Sequence, residues 1–261
     1  MTFVSCQMKT TRIVLLLSTL LFLCMTSVRA DFIGFKIGVN YWEPDISGSF
    51  IGDDPLDTQI DLVDDLGLED ISSSNLVLTL EHPIPLLPNI RYQNIDLDSS
   101  GFSFSSGFFY EGQQYDGEVT STFDLSHDDI VLYYEVLDNW INLDIGLDIK
   151  IFDGEVTLDG FDLALAPIST IVPIDETIPL LYLSARFDLP FSGFYIGAEF
   201  SGADISDNSL EDISIVLGYE SNSGLGFEGG YKKFSLELND VTDVNADLEY
   251  DGIYLNGYYH F

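Results

Sequence analysis

The chain has 261 residues, with 44 Asp and Glu against nine Lys and Arg, and a formal charge of −35 at pH 7. That balance excludes nucleic acid and anionic membrane surfaces as partners, because both are bound through basic patches. Disorder, the usual consequence of such acidity, is excluded by a composition that is 46% hydrophobic and 13% aromatic.

Residues 1–30 read as a targeting segment. Lys9 and Arg12 form a short basic region, 13–25 is an apolar run interrupted only by Ser18 and Thr19, and Val28-Arg29-Ala30 has the small residues of a cleavage site. Cleavage after Ala30 would start the mature chain at Asp31; initiation at Met8 would shorten the basic region. The apolar run falls well short of the ~20 residues of a spanning helix. Cys6 and Cys24 both lie here, so the mature chain has no thiol for a disulfide, a metal or a nucleophile. Leu23 stands where lipidation at Cys24 would need a small residue. Residues 31–261 are expected to form a single domain.

Strict alternation dominates this mature chain. Ile33, Phe35, Ile37, Val39 and Tyr41 are separated by Gly34, Lys36, Gly38 and Asn40. From 140 to 152 the odd positions Ile141, Leu143, Ile145, Leu147, Ile149 and Ile151 are aliphatic, and Asn142, Asp144, Gly146, Asp148 and Lys150 lie between them. Similar patterns fill 194–201, 213–220 and 225–232. Neighbouring side chains of a strand point to opposite faces. Soluble strands average ~5–6 residues, whereas ~9–11 cross a bilayer at a tilt. Apolar residues outside with small and polar ones inside is the arrangement of a β-barrel in lipid. The sheet must close, because hydrocarbon offers no partner to an edge.

The pattern predicts strands at 32–42, 74–82, 89–98, 118–136, 140–152, 178–188, 193–205, 211–221, 224–238 and 248–261. The expected fold is therefore all-β, a closed antiparallel up-and-down transmembrane barrel of about ten strands. Twelve is the alternative, if 118–136 is two strands or 155–165 is another. Short turns are expected at 82–89, 137–139, 189–193 and 222–224. Long acidic loops are expected at 43–74, 99–117 and 153–177, on the opposite side. In the last strand Ile253, Leu255, Gly257, Tyr259 and the terminal Phe261 share one face. This resembles the C-terminal strand by which outer-membrane proteins are handed to their assembly machinery, so Phe261, Tyr259, Leu255 and Ile253 are candidates for an assembly signal.

Three stretches carry a wider resemblance: Glu81-His82-Pro83-Ile84-Pro85-Leu86-Leu87-Pro88-Asn89, then Leu132-Tyr133-Tyr134-Glu135-Val136-Leu137-Asp138-Asn139, then Leu143-Asp144-Ile145-Gly146-Leu147. With Ala185-Arg186-Phe187-Asp188-Leu189-Pro190 and Phe261, the chain resembles a family of small, largely uncharacterised outer-membrane β-barrel proteins of marine Gram-negative bacteria. The resemblance implies the fold and an outer-membrane location, and no activity.

Candidate chemistry is sparse. Asp144, Asp148, Lys150 and Glu199, with Arg186, are the candidate lumen-facing charges. They would either plug the barrel as ion pairs or line a narrow passage. Ser126-His127-Asp128-Asp129 is the one hint of a hydrolase acting on lipid or peptide, but adjacent residues of a strand face opposite ways, which opposes a Ser126–His127 bond. His82 is expected to fix the proline turn and His260 to face inward. Asp96-Leu97-Asp98-Ser99-Ser100-Gly101 opens like a calcium loop, but Gly107 stands where the bidentate Glu belongs. No metal site or cofactor is expected beyond weak divalent cations at the acidic loops. The expected partners are outer-membrane lipids and the barrel assembly machinery. The expected function is a non-enzymatic envelope barrel, structural or passing small solutes; the alternative is the hydrolase.

Overall fold

A computed structural model describes residues 33–52, 54–205, 208–241 and 244–261. The segment 1–30, expected to direct export, and its expected cleavage point lie outside them. Thirteen strands follow in order: β1 (Gly34–Ile51), β2 (Ile60–Asp61), β3 (Ser73–Glu81), β4 (Asn89–Ile95), β5 (Asp98–Tyr110), β6 (Gln113–Asp124), β7 (His127–Asp138), β8 (Ile141–Phe161), β9 (Pro167–Asp188), β10 (Phe194–Ile205), β11 (Asn208–Glu220), β12 (Leu225–Val241) and β13 (Val244–His260).

Ten of these close a ring of antiparallel neighbours, β1-β3-β4-β7-β8-β9-β10-β11-β12-β13 and back to β1. The closing seam runs in unbroken register from Lys36↔His260 to Ile51↔Asn245. β5 and β6 extend the β4–β7 wall, and β6 continues the pairing along β8 where β7 leaves off. The predicted strand 118–136 is thus two, parted at Leu125-Ser126, and 155–165 belongs mostly to the far half of β8. Neither adds a strand to the ring.

The connections 82–88, 139–140, 189–193 and 221–224 lie at one end, here the turn end. At the other, the loop end, the expected acidic loops are largely strand. Residues 43–51, 99–110, 153–161 and 167–177 belong to β1, β5, β8 and β9. The reason is an exchange of polarity on a strand whose alternation never breaks. In β1, Phe35, Ile37, Val39 and Tyr41 point outward, and so do Glu43, Asp45 and Ser47. Inward lie Lys36 and Asn40, then Trp42, Ile46 and Phe50. β8 repeats this: Ile145, Leu147 and Ile151 give way outward to Asp153, Glu155 and Asp159, while Asp148 and Lys150 give way inward to Phe152, Val156 and Leu158. β9 adds a second cause. Beyond Leu181 it pairs with β8 alone, so Pro173 and Pro179 sit in an edge strand, where a missing N–H does no harm.

The belt of outward apolar residues has the height of a bilayer core. From Ile141 to Ile151 ten steps of ~3.3 Å at a tilt near ~45° climb ~23 Å, against ~25 Å for a barrel's apolar band. Aromatic rings gather at its turn-end margin, in pairs such as Phe35–Phe261 at 5.6 Å, Trp140–Phe187 at 5.3 Å and Phe194–Tyr219 at 5.0 Å. At the other margin Tyr41 and Tyr231 donate to Glu43 and Asp251. Rings that need both an apolar body and a wet tip belong at such margins.

Past the belt, the barrel encloses an ordinary hydrophobic core. In the connection between β1 and β3, residues 54–72 fold inward, burying Ile60, Leu62 and Leu66 against Trp42, Phe50, Leu158 and Tyr250. The β5–β6 tip turns at Glu111 (φ 50°) and Gly112 (φ 68°), the two positive φ values of a tight hairpin. The Asp57 carboxylate accepts from both their N–H groups at 3.2 Å and ties the tip to that connection. Burial beside Glu111 and Asp57 pushes the Tyr110 phenol pKa up, so this ring stays neutral in the core. At the turn end His82 Nε2 bonds Pro88 O at 3.1 Å and His82 Nδ1 accepts from Ile84 N at 3.3 Å, so the ring holds the proline turn together.

Ile145→Arg, in mid-belt, is expected to cost ~2–4 kcal/mol in a lipid refolding titration. Glu155→Arg, on the same face of the same strand past the belt, should stay within ~0.5 kcal/mol. Equal costs would refute the boundary between them.

Candidate functional site

Inward-facing residues of the belt strands meet in two tiers. The inner tier is a buried ion cluster. Lys150 Nζ, fully buried, bonds Asp129 at 2.8 Å and Asp212 at 3.0 Å and lies 3.6 Å from Asp148. Lys232 reaches Asp212 at 3.1 Å and sits over the Trp42 ring. Beside them the Arg91 guanidinium bonds both Glu199 oxygens at 2.8 Å and faces the Tyr182 ring. In a medium of low dielectric such charges persist only in company. Above this tier, toward the loop end, Phe152, Phe234 and Trp42 begin the hydrophobic core.

The outer tier lines a cavity of about 320 Å³ that reaches the turn-end rim, where Glu81, Asp138, Asn142, Glu220 and His260 lie at strand ends. Tyrosines organise it. Tyr195 and Tyr258 lie across Gly218 and Gly226 of the neighbouring strands, where a Cβ would meet each ring at 2.1 Å. Their hydroxyls thereby come within 2.9 Å of each other, and they donate to Glu228 at 2.6 Å and Glu220 at 2.8 Å respectively. Arg186 stacks on Tyr195 at 3.6 Å and bonds Asp188 and Glu220. Tyr133 donates to Glu81 at 2.9 Å. Its inner end runs into a smaller void of about 30 Å³ among the residues of the ion cluster, and the hydrophobic core lies beyond.

Each candidate residue has a place in these tiers. Asp144 and Glu199 line the cavity, Asp148 and Lys150 belong to the ion cluster, and Arg186 faces inward at the rim. Asp129, Asp212, Lys232, Arg91 and Asn40 are not among the candidate lumen residues, although each is a polar residue at an inward position of a belt strand, the same signal that marks Asp144. Ile253, Leu255, Tyr259 and Phe261 face outward. The Phe261 N–H bonds Phe35 O at 2.8 Å, and its ring touches Tyr259 at 4.6 Å. Ser126 and His127 part company. The serine hydroxyl accepts from Leu97 N at 3.0 Å and approaches Asp96, while His127 Nδ1 bonds Leu125 O at 2.8 Å and its other nitrogen lies 3.4 Å from Lys150. Residues 98–101 are strand rather than a calcium loop. Among the described residues no group of three His, Cys, Asp or Glu is arranged to hold a metal.

No family model and no curated protein matches the chain. Among solved structures it is similar to the outer membrane protease OmpT from Escherichia coli, at 12% identity over 91% of this chain and 99% of that one, with a TM-score of 0.48. It is also similar to a Pseudomonas aeruginosa FadL homologue (11% identity, 88% and 90% covered, TM-score 0.36) and to the Pseudomonas putida toluene transporter TodX (9%, 88% and 89%, 0.36).

Lys150→Ala would leave the buried Asp129 and Asp148 without their cation, while Asp212 keeps Lys232, and is expected to cost ~3–5 kcal/mol in urea refolding. Lys150→Met combined with Asp129→Leu should recover part of that loss. A single substitution costing under ~1 kcal/mol would mean that the cluster is hydrated rather than buried.

Proposed function

We propose that the chain is a non-enzymatic barrel of the Gram-negative outer membrane, exported by the segment 1–30, whose lumen is sealed to solutes. The observation that carries this reading is the exchange of polarity shared by β1 and β8: lipid outside and charge inside on one half, water outside and hydrophobic core inside on the other. The turn end then faces the periplasm and the capped end the exterior. A passage would need a continuous hydrated path, and the ion cluster followed by Trp42, Phe152 and Phe234 interrupts it. The separate bonding of Ser126 and His127 weighs against the hydrolase at that position.

Two measurements test the reading. The refolded chain in planar bilayers should give no stable conductance steps; discrete ohmic steps would overturn the sealed lumen. The face carrying Ile253, Leu255, Tyr259 and Phe261 is further proposed as what the assembly machinery recognises, because it is exposed on the strand that closes the barrel. Phe261→Ala should then lower the amount of barrel in the outer membrane of cells, yet leave refolding in micelles unchanged. Normal accumulation in cells would refute that role, and a matching loss in micelles would assign the residue to stability alone.

A further inference from the structure

The cavity holds two features that the barrel does not need. Glu135 and Asp144 stand directly opposite in the β7–β8 register, and both line the cavity. Neither has a cation within 4 Å or a hydrogen-bond partner among the described residues. Like charges opposed across a ladder are destabilising. The nearby cations are engaged elsewhere, Arg186 by Asp188 and Glu220, Arg91 by Glu199, and Lys36 over the Tyr258 ring. The second feature is Asn40, on β1. It lines the same cavity and is only 1% exposed, yet its Nδ2 and Oδ1 both lack a partner. Asn256, its register neighbour on β13, gives its Nδ2 to Glu228 and leaves a buried Oδ1 open. Buried polar groups are nearly always paired, so a buried amide with both ends open marks a place where another molecule's donors and acceptors belong.

We infer that the turn-end cavity binds a small hydroxylated ammonium compound, its amine held by Glu135 and Asp144 and its hydroxyls by Asn40 and the tyrosine hydroxyls. The chemistry of the wall selects this class. Two opposed carboxyl groups with no cation in contact repel anions and favour a cation. A hydrocarbon would leave those carboxylates and the amide ends dry and unpaired. Among the described residues a bare metal ion finds no third carboxylate in coordinating geometry. A hydroxylated ligand supplies both the acceptor that Asn40 Nδ2 lacks and the donor that its Oδ1 lacks. The volume, about 320 Å³, is enough for a single ring. The inference goes beyond the sealed-barrel reading and would survive its failure, since conductance reports the loop-end core and binding reports the turn-end cavity.

The test is calorimetric titration of the refolded chain in detergent with glucosamine, and with glucose as the same ring lacking the charge. Glucosamine should bind saturably and at least about tenfold more tightly than glucose, a difference of ~1.4 kcal/mol. Asp144→Asn and Glu135→Gln should each weaken glucosamine by about that factor and raise the thermal midpoint of the empty barrel, because each relieves the opposed charges. Glu155→Gln, on the outer wall, should change neither. Equal affinity for the two sugars, or no saturable binding of glucosamine by the unaltered chain, would overturn the proposal; that comparison needs no variant. Unchanged affinity in both carboxylate variants would overturn it equally.

Discussion

An unpaired backbone N–H or C=O costs several kcal/mol in hydrocarbon, so a sheet that enters a bilayer cannot keep an edge there. β13 meets that constraint, pairing along its length with β12 on one side and β1 on the other. Everything inside the barrel depends on this closure. Ten strands enclose a lumen only slightly wider than the eight-stranded kind that side chains fill. Half of every belt strand's residues must therefore fill that space or line a cavity in it. The chain fills it differently at different heights: rim carboxylates and tyrosines, then paired charges, then a hydrocarbon core.

The two fillings answer to what lies outside. Where lipid surrounds the wall, the outward face supplies the hydrophobic energy and the inward face is free to carry Lys150, Asp129 and Asp212. Where water surrounds it, that energy must come from within, and Phe152, Leu158 and Tyr250 turn inward with help from residues 54–72. One alternating strand serves both solvents because only the chemistry of its two faces is exchanged. The acidity also finds a place in this scheme, since Glu43, Asp45, Asp153 and Glu155 form the wet outer face beyond the belt.

Much of this is legible in the sequence. The ring of ten strands, the proline turn held by His82 and the inward course of Asp144 and Lys150 all come from period two and turn chemistry. The extensions past the belt do not, because Glu43, Asp45, Asp153 and Glu155 look like loop when read against an apolar-outside pattern. Their inward partners Trp42, Ile46, Phe152 and Val156 carry the correction, as the same alternation with its polarity exchanged. Pro173 hides the far half of β9, since nothing in one sequence tells an edge strand from a turn. The ion cluster is half visible. Asp148 and Lys150 share a strand and Asp129 stands opposite Lys150 across the β7–β8 hairpin, but Asp212 and Lys232 reach them only through closure, which no local pattern encodes.

The membrane placement turns on one boundary, between residues 151 and 153 of β8 and between 41 and 43 of β1, where the outer wall passes from lipid to water. Spin labels placed singly at the outward positions 145, 147, 149, 151, 153, 155 and 157 of the barrel in lipid measure it most directly, through relaxation by dissolved oxygen and by a water-soluble nickel chelate. Oxygen access should dominate up to 151 and chelate access from 153 onward, with the crossing between them. Chelate access along the whole series, or no crossing before 157, would contradict the membrane placement and every functional reading built on it.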